Sequence, residues 1–135
     1  DVEVDCFLDL MARSAPAKAA FLTPTMRAFF HDLAVAANEA GWLQLAFLEL
    51  AGQKLAAYFN FVYNNRVLVY NSGLDGSADP GLGAGIILTA FLIRRAVEEG
   101  REAYDFLRGD ERYKYRFGGV DVPVHRLVVR KGGGE

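Results

Sequence analysis

The run Tyr104-Asp-Phe-Leu-Arg-Gly-Asp-Glu-Arg-Tyr-Lys-Tyr-Arg-Phe-Gly118 gathers the densest chemistry in the sequence. It holds carboxylates at Asp105, Asp110 and Glu111, cations at Arg108, Arg112, Lys114 and Arg116, and rings at Tyr104, Tyr113, Tyr115 and Phe117. Charged groups clustered behind a strand can anchor a substrate or pass protons. Asp110 and Glu111 are candidate proton acceptors, and Arg108 a bidentate holder of an anionic group. Asp105 and Tyr113 are candidate substrate contacts beside it. The competing reading is a solvated helix face, with Asp110–Lys114 an attractive i, i+4 pair and Arg112–Arg116 a repulsive one. That repulsion and the interleaved rings weigh against plain surface, and composition leaves the two readings even.

A second candidate is the glycine-rich stretch ending in Pro80-Gly-Leu-Gly-Ala-Gly85. Unpaired N–H groups at a helix N-terminus can cradle a phosphate, a carboxylate or an oxyanion, and Gly83, Ala84 and Gly85 keep side chains clear of them. The same glycines also suit simple loop closure. Position favours the site, because the stretch lies past the end of the strand finishing at Tyr70-Asn71, where open α/β sheets bind ligands.

Other conspicuous residues read as structural. His31 is expected on a helix surface or interface, His125 on the wet face of a last strand, and Cys6 as a small buried hydrophobe. Tyr58, Phe59, Phe61 and Tyr63 fit core and sheet-face packing better than a base-stacking platform, since no basic surround accompanies them.

The elements that must position these groups follow from periodicity. Residues 2–13 form a helix with Val4, Phe7, Leu8 and Met11 on one face. Ser14 to Ala20, containing Pro16, reads as a connection. Thr23 caps a second helix with Pro24 at its first position, Met26, Phe29, Phe30, Leu33 and Ala37 on its apolar face, and Gly41 at its end. Strands are expected at Trp42 to Leu50, Leu55 to Tyr63 and Arg66 to Asn71, joined by tight turns at Ala51 to Lys54 and at Asn64-Asn65. Ser72 to Gly85 reads as loop. A helix over Ala84 to Glu99, its turns marked by Ile87, Phe91, Arg94/Arg95 and Glu98, leads to a short buried strand at Ala103 to Leu107. One intervening helix makes that strand parallel to the third, through a right-handed crossover. A short helix or turn at Glu111 to Phe117 and a last strand at Pro123 to Arg130 follow, with 131–135 a flexible tail. The order α-α-β-β-β-α-β-(α)-β describes an α/β or α+β fold: an antiparallel three-strand meander, then a β-α-β crossover.

The chain has 135 residues, 52% of them hydrophobic and 24% charged, which suits one globular domain. A formal charge of −2 gives no overall field for nucleic acid. A single cysteine excludes an internal disulfide, and no Cys/His spacing points to a metal. Apolar runs stop short of the about 20 residues of a membrane span, and no signal peptide opens the chain. The expected setting is therefore cytoplasmic.

These features together resemble the GNAT acyltransferase fold. The last segment is similar to its BioF-two-like or cellulose-biosynthesis-associated acetyltransferase-like branch. The match rests on Pro80-Gly81 before the helix, and on Asp105-Phe106, Gly109-Asp110-Glu111, Tyr113-Lys114 and Phe117-Gly118 in a long, specific string. The resemblance spans roughly Thr23 to Arg130. It implies a first strand ahead of residue 1, while the seventh strand of the fold is not evident after 130, so that 1–135 is expected to be one lobe, the C-terminal part of a longer protein. It implies acyl transfer to a small-molecule or glycan-linked amine, commonly from acyl-coenzyme A, in polysaccharide or cell-envelope metabolism. The acyl-pantetheine arm would lie between strands 66–71 and 103–107, beside Tyr70 and Asn71, with the pyrophosphate on Gly83, Ala84 and Gly85. The family's loop pattern Gln/Arg-x-x-Gly-x-Gly/Ala reads here Pro80-x-x-Gly83-x-Gly85. More distant Fem-type aminoacyl transferases share a Lys-x-x-Phe-Gly step, here Lys114-x-x-Phe117-Gly118; by that resemblance Lys114 would stabilise developing negative charge. A non-catalytic interaction module is the other alternative, its open sheet edge inviting a homodimer or an upstream lobe.

Overall fold

A computed structural model describes residues 1–77 and 83–132. The Pro80-Gly81 step, the start of the glycine stretch and the last three tail residues lie outside these. Three helices come first: α1 (Val2–Ser14), α2 (Pro16–Phe21) and α3 (Pro24–Glu39). Asp1 caps α1 through the Glu3 N–H, and Thr23 caps α3 through the Met26 N–H. The expected connection at Ser14 to Ala20 is in fact α2. Pro16 starts that helix rather than breaking one, and the alanines and lysine behind it are strong helix formers.

Strands β1 (Leu43–Leu50), β2 (Gln53–Tyr63) and β3 (Arg66–Leu74) make the antiparallel meander. Its tight turns place Ala51, Asn64 and Asn65 at positive φ. Helix α4 (Ala84–Glu98) crosses over to β4 (Ala103–Asp105), which pairs parallel with β3, and α5 (Arg112–Arg116) follows. The sheet order is β1-β2-β3-β4. β3 runs on through Ser72, Gly73 and Leu74, which the sequence reading gave to a loop. β4 ends at Asp105 instead of Leu107 and is half-buried rather than buried.

The expected last strand at Pro123 to Arg130 does not form: the segment carries no strand pairing, and Val124 is 95% exposed. Alternating valines suit a pleated surface, but a strand exists only where another strand takes up its N–H and C=O groups. His125 accordingly lies on an exposed irregular segment. The observed order is α-α-α-β-β-β-α-β-α.

The sheet is covered on both faces. On one, α1 and α3 bury Phe7, Leu8, Met11 and Phe30 against Ala57 and Phe59. Phe7, Phe30 and Phe59 meet as tilted and edge-to-face rings with centroids 5.5–6.2 Å apart. Phe29, expected in this face, is about half exposed, and Ala34 takes the inward position. On the other face α4 presents Ala84, Leu88 and Leu92 to Ala56, Tyr58 and Val69, and Ala96 is buried one turn further on. That i, i+4 stripe, rather than Ile87 and Phe91, is the buried one; Phe91 is 59% exposed.

Two features of β3 shape what lies beside it. Its register slips once: Phe59 faces Asn71 while Asn60 faces Val69, leaving Tyr70 as the extra residue of a bulge. Further along, α1 presses so close that a Cβ on Gly73 would lie 2.5 Å from the Met11 nitrogen. Only glycine allows that approach.

Candidate functional site

β3 and β4 share only three register pairs, Arg66↔Ala103, Val67↔Tyr104 and Leu68↔Asp105. Beyond Leu68, β3 continues while β4 turns away, and a wedge opens between the strands. The α1–α2 elbow lines this wedge and takes up backbone groups that a strand would otherwise satisfy. The Leu74 N–H donates to Ser14 Oγ at 2.6 Å, and the Ser72 carbonyl accepts from Lys18 Nζ at 2.7 Å. Burial lowers the Lys18 pKa below its ordinary value.

The wedge contains a cavity of about 460 Å³. Its walls include Tyr70, Asn71, Arg108, Glu111, Tyr113 and Lys114 from the predicted set. A second cavity of about 430 Å³ lies between the end of β3 and the start of α4, with Gly83, Ala84, Gly85 and again Tyr113 in its lining. Tyr58, Ser72 and Tyr113 border both, so the two spaces are neighbours along β3. Asp105 and Asp110 border neither.

The turn behind β4 explains where those two carboxylates and the lysine go. Asp105 Oδ1 accepts from the Leu107 N–H at 2.7 Å, an Asx turn that steadies Leu107 at φ 58°. Gly109 follows at φ 113°. The carbonyls of Phe106, Arg108 and Gly109 then converge on Lys114 Nζ at 3.4, 3.0 and 3.4 Å. Glu111 Oε2 lies 2.7 Å from the same nitrogen. The lysine's ion pair is thus with Glu111 (i, i+3) rather than with Asp110 as expected. Lys114 is 7% exposed, and its ammonium is fully engaged in closing this loop. The hydrogen bond from Lys114 holds the Glu111 carboxyl below the usual carboxylate range.

Tyr113 stands differently. Its ring packs edge-on to Phe106, with centroids 5.9 Å apart. Burial, with Tyr58 and Glu111 nearby, pushes its phenol up to about 12. The Tyr58 hydroxyl lies 2.9 Å from Thr89 Oγ1, which also bonds the Gly85 carbonyl at 2.8 Å. Since Thr89 has one proton, it donates to Gly85 and accepts from Tyr58. Burial likewise raises Tyr104, with Asn60 beside its hydroxyl acting weakly the other way.

At the mouth of the second cavity α4 starts at Gly83, in the left-handed region with φ 61° and without a side-chain cap. Among the described residues no side chain caps the first N–H groups of the helix. Asp75 also lines this cavity, with Arg13 at 3.5 Å from its carboxylate.

The sequence reading missed Lys18, Tyr58 and Ser72. Tyr58 and Ser72 are register partners, so the correct hairpin register would have placed both beside the third strand's end. Lys18 could have been found only by reading Pro16 as a helix start.

The fold is thus a mixed sheet that parts between its parallel strands, with the start of α4, free of a side-chain cap among the described residues, beyond the end of β3. A family model described as "Acetyltransferase (GNAT) domain" matches residues 1–115, and the chain belongs to that family. No curated protein and no solved structure gives a significant match. The family supports a general acyltransferase role with a small-molecule amine as acceptor. Among the described residues no helix is long and apolar enough to cross a membrane.

Proposed function

We propose that the protein is an N-acyltransferase that moves an acyl group from acyl-coenzyme A to an amine in the wedge between β3 and β4. The observation that carries this reading is the parting of those strands beside the uncapped start of α4. Acyl-coenzyme A supplies the activated acyl group. The residues present fit it: backbone N–H groups at Gly83, Ala84 and Gly85 would bind the pyrophosphate, and the outer edge of β3 at Tyr70, Asn71 and Ser72 would run beside the pantetheine arm. Tyr113, protonated across the physiological range, would deliver a proton to the departing thiolate. Arg108, on the cavity wall, would grip an anionic group of the acceptor. Glu111 and Lys114, bound to one another, would act by fixing the loop that carries Arg108. The resemblance of Asp105 to Gly118 to the cellulose-biosynthesis-associated branch supports an acceptor from polysaccharide or cell-envelope metabolism and work in the cytoplasm.

Calorimetry with coenzyme A tests the reading. We expect binding to the intact chain and a loss of at least about tenfold in Gly85→Glu, which places a negative charge where the phosphates would sit. Among the described residues a Cβ at Gly85 meets only Leu74 Cδ1 at 3.9 Å, so the fold should survive that change. Absence of binding to the unaltered chain at millimolar ligand would overturn it.

A further inference from the structure

The chain has four lysines, and three of them have clear structural or solvent settings. Lys54 sits 3.3 Å from Glu3 and 3.8 Å from Glu49, Lys114 is closed in by carbonyls and Glu111, and Lys131 is exposed. Lys18 is the exception. Its amine reaches from α2 into the wedge, lines the same cavity as Asn71 and Tyr113, and is half-buried there. Its hydrogen-bond partner is a neutral backbone carbonyl, that of Ser72, and among the described residues no carboxylate pairs with it.

We propose that Lys18 is an internal acyl acceptor: its ε-amine occupies the place of the acceptor amine and becomes acylated by a thioester donor held along β3. The inference rests on the acyl-transfer reading of the wedge and adds a modification site within it. Three observations support it. The amine borders the cavity in which the acyl group would be delivered, so attack needs no large movement. The Ser72 carbonyl already orients the nitrogen at 2.7 Å. Burial favours the neutral, nucleophilic form.

The step balances simply. The ammonium first loses a proton to solvent, and the free amine attacks the thioester carbonyl carbon. A C–N bond forms, the C–S bond breaks, and the nitrogen sheds a second proton to water. The departing thiolate takes a proton from Tyr113, which is reprotonated from solvent. The products are an amide on Lys18, a free thiol and one net proton. Acylation removes the charge and the ammonium donor set at Ser72, so the modified wedge presents a neutral amide beside β3.

The test is incubation of the full chain with acetyl-coenzyme A, followed by peptide mapping of the acetylated lysines, with Lys131 as the internal reference. Lys18 should be labelled roughly tenfold or more faster than Lys131. In urea the four lysines should label evenly. Tyr113→Phe should slow labelling of Lys18 but not of Lys131, and Lys18→Arg should abolish labelling in the wedge while retaining a donor for Ser72. Equal labelling of Lys18 and Lys131 in a folded chain that binds coenzyme A overturns the inference and leaves the acyltransferase reading standing. A short thioester without the nucleotide, S-acetyl-N-acetylcysteamine, separates the other failure. Selective labelling of Lys18 by it, without coenzyme A binding, would keep the internal acceptor and discard the coenzyme A donor. No selectivity with either donor removes Lys18 from the chemistry.

Discussion

Tyr113 and Lys114 are adjacent in sequence, yet their settings differ, and the proposed acyl transfer gives them opposite tasks. Lys114 spends its donors on three carbonyls and a carboxylate. Replacing it by Met keeps the stem but strands those acceptors, and we expect a loss of about 1–3 kcal/mol in urea unfolding. Any fall in turnover should then come with a looser 106–109 loop, visible as faster amide exchange there. Tyr113→Phe should do the reverse, slowing acyl transfer by roughly 10²-fold while leaving unfolding unchanged. The phenol also makes a statement about pH. Its folded pKa of about 12 lies above the unfolded value near 10. Between these values the folded state therefore binds more protons than the unfolded one. The stabilisation is complete below about pH 10 and disappears as pH rises through 12. Tyr104, raised in the same direction, adds to it. Urea midpoints should hold steady up to about pH 9 and fall steeply above pH 10, with a step in phenolate absorbance accompanying the unfolding as the buried phenols are released.

At the level of elements, the wedge depends on how α1 is seated against β3. Gly73 allows the helix backbone to come within reach, where an added Cβ would stand 2.5 Å from Met11 N and 2.7 Å from the Leu10 carbonyl carbon. Backbone cannot swing aside as a side-chain tip can. Gly73→Ala should therefore cost about 1–3 kcal/mol by forcing the helix away, and a thermal melt would register it. The same shift would pull Ser14 and Lys18 from the edge of β3, so coenzyme A affinity should change along with stability. This contact was not legible in the sequence, where Gly73 looked like one more loop glycine. The elements that could be read were those whose signal is local. Thr23-Pro24 marks a helix start by capping and fixed φ, Asn64-Asn65 marks a hairpin by tolerance of positive φ, and Val4, Phe7, Leu8 and Met11 repeat at helical spacing. The end of β3 failed because Ser72-Gly73-Leu74 is specified by β2 and α1 rather than by its own residues.

The molecule as a whole shows how far pattern carries before partners decide. The meander, the crossover and the parallel pairing followed from periodicity and connection length, and the wedge then followed from topology, because a short β4 cannot accompany a long β3. Asp105, Asp110 and Lys114 looked like site chemistry from residue type. Yet Asp105 fixes an Asx turn, Asp110 lies outside both cavities, and Lys114, which borders the wedge, also bonds its own loop. The segment from Val120 to Arg130 makes the opposite case, with strand-like alternation and no strand. Val120, Val122, Val124, Leu127 and Val129 are each more than four-fifths exposed. A 2.7 Å hydrogen bond from the Tyr115 hydroxyl to Asp121 ties its start to α5. Burial, not hydrophobic character, is what stabilises a fold, so residues exposed to this degree contribute almost nothing to it. A chain ending at Asp121 should keep its unfolding free energy within about 0.5 kcal/mol and bind coenzyme A as the full chain does. It should also be less prone to self-association, since a valine-rich segment with unpaired backbone is removed. Size-exclusion chromatography beside urea unfolding would measure both. A large loss of stability on truncation would mean that these valines are covered in solution, and that the segment is part of the folded core after all.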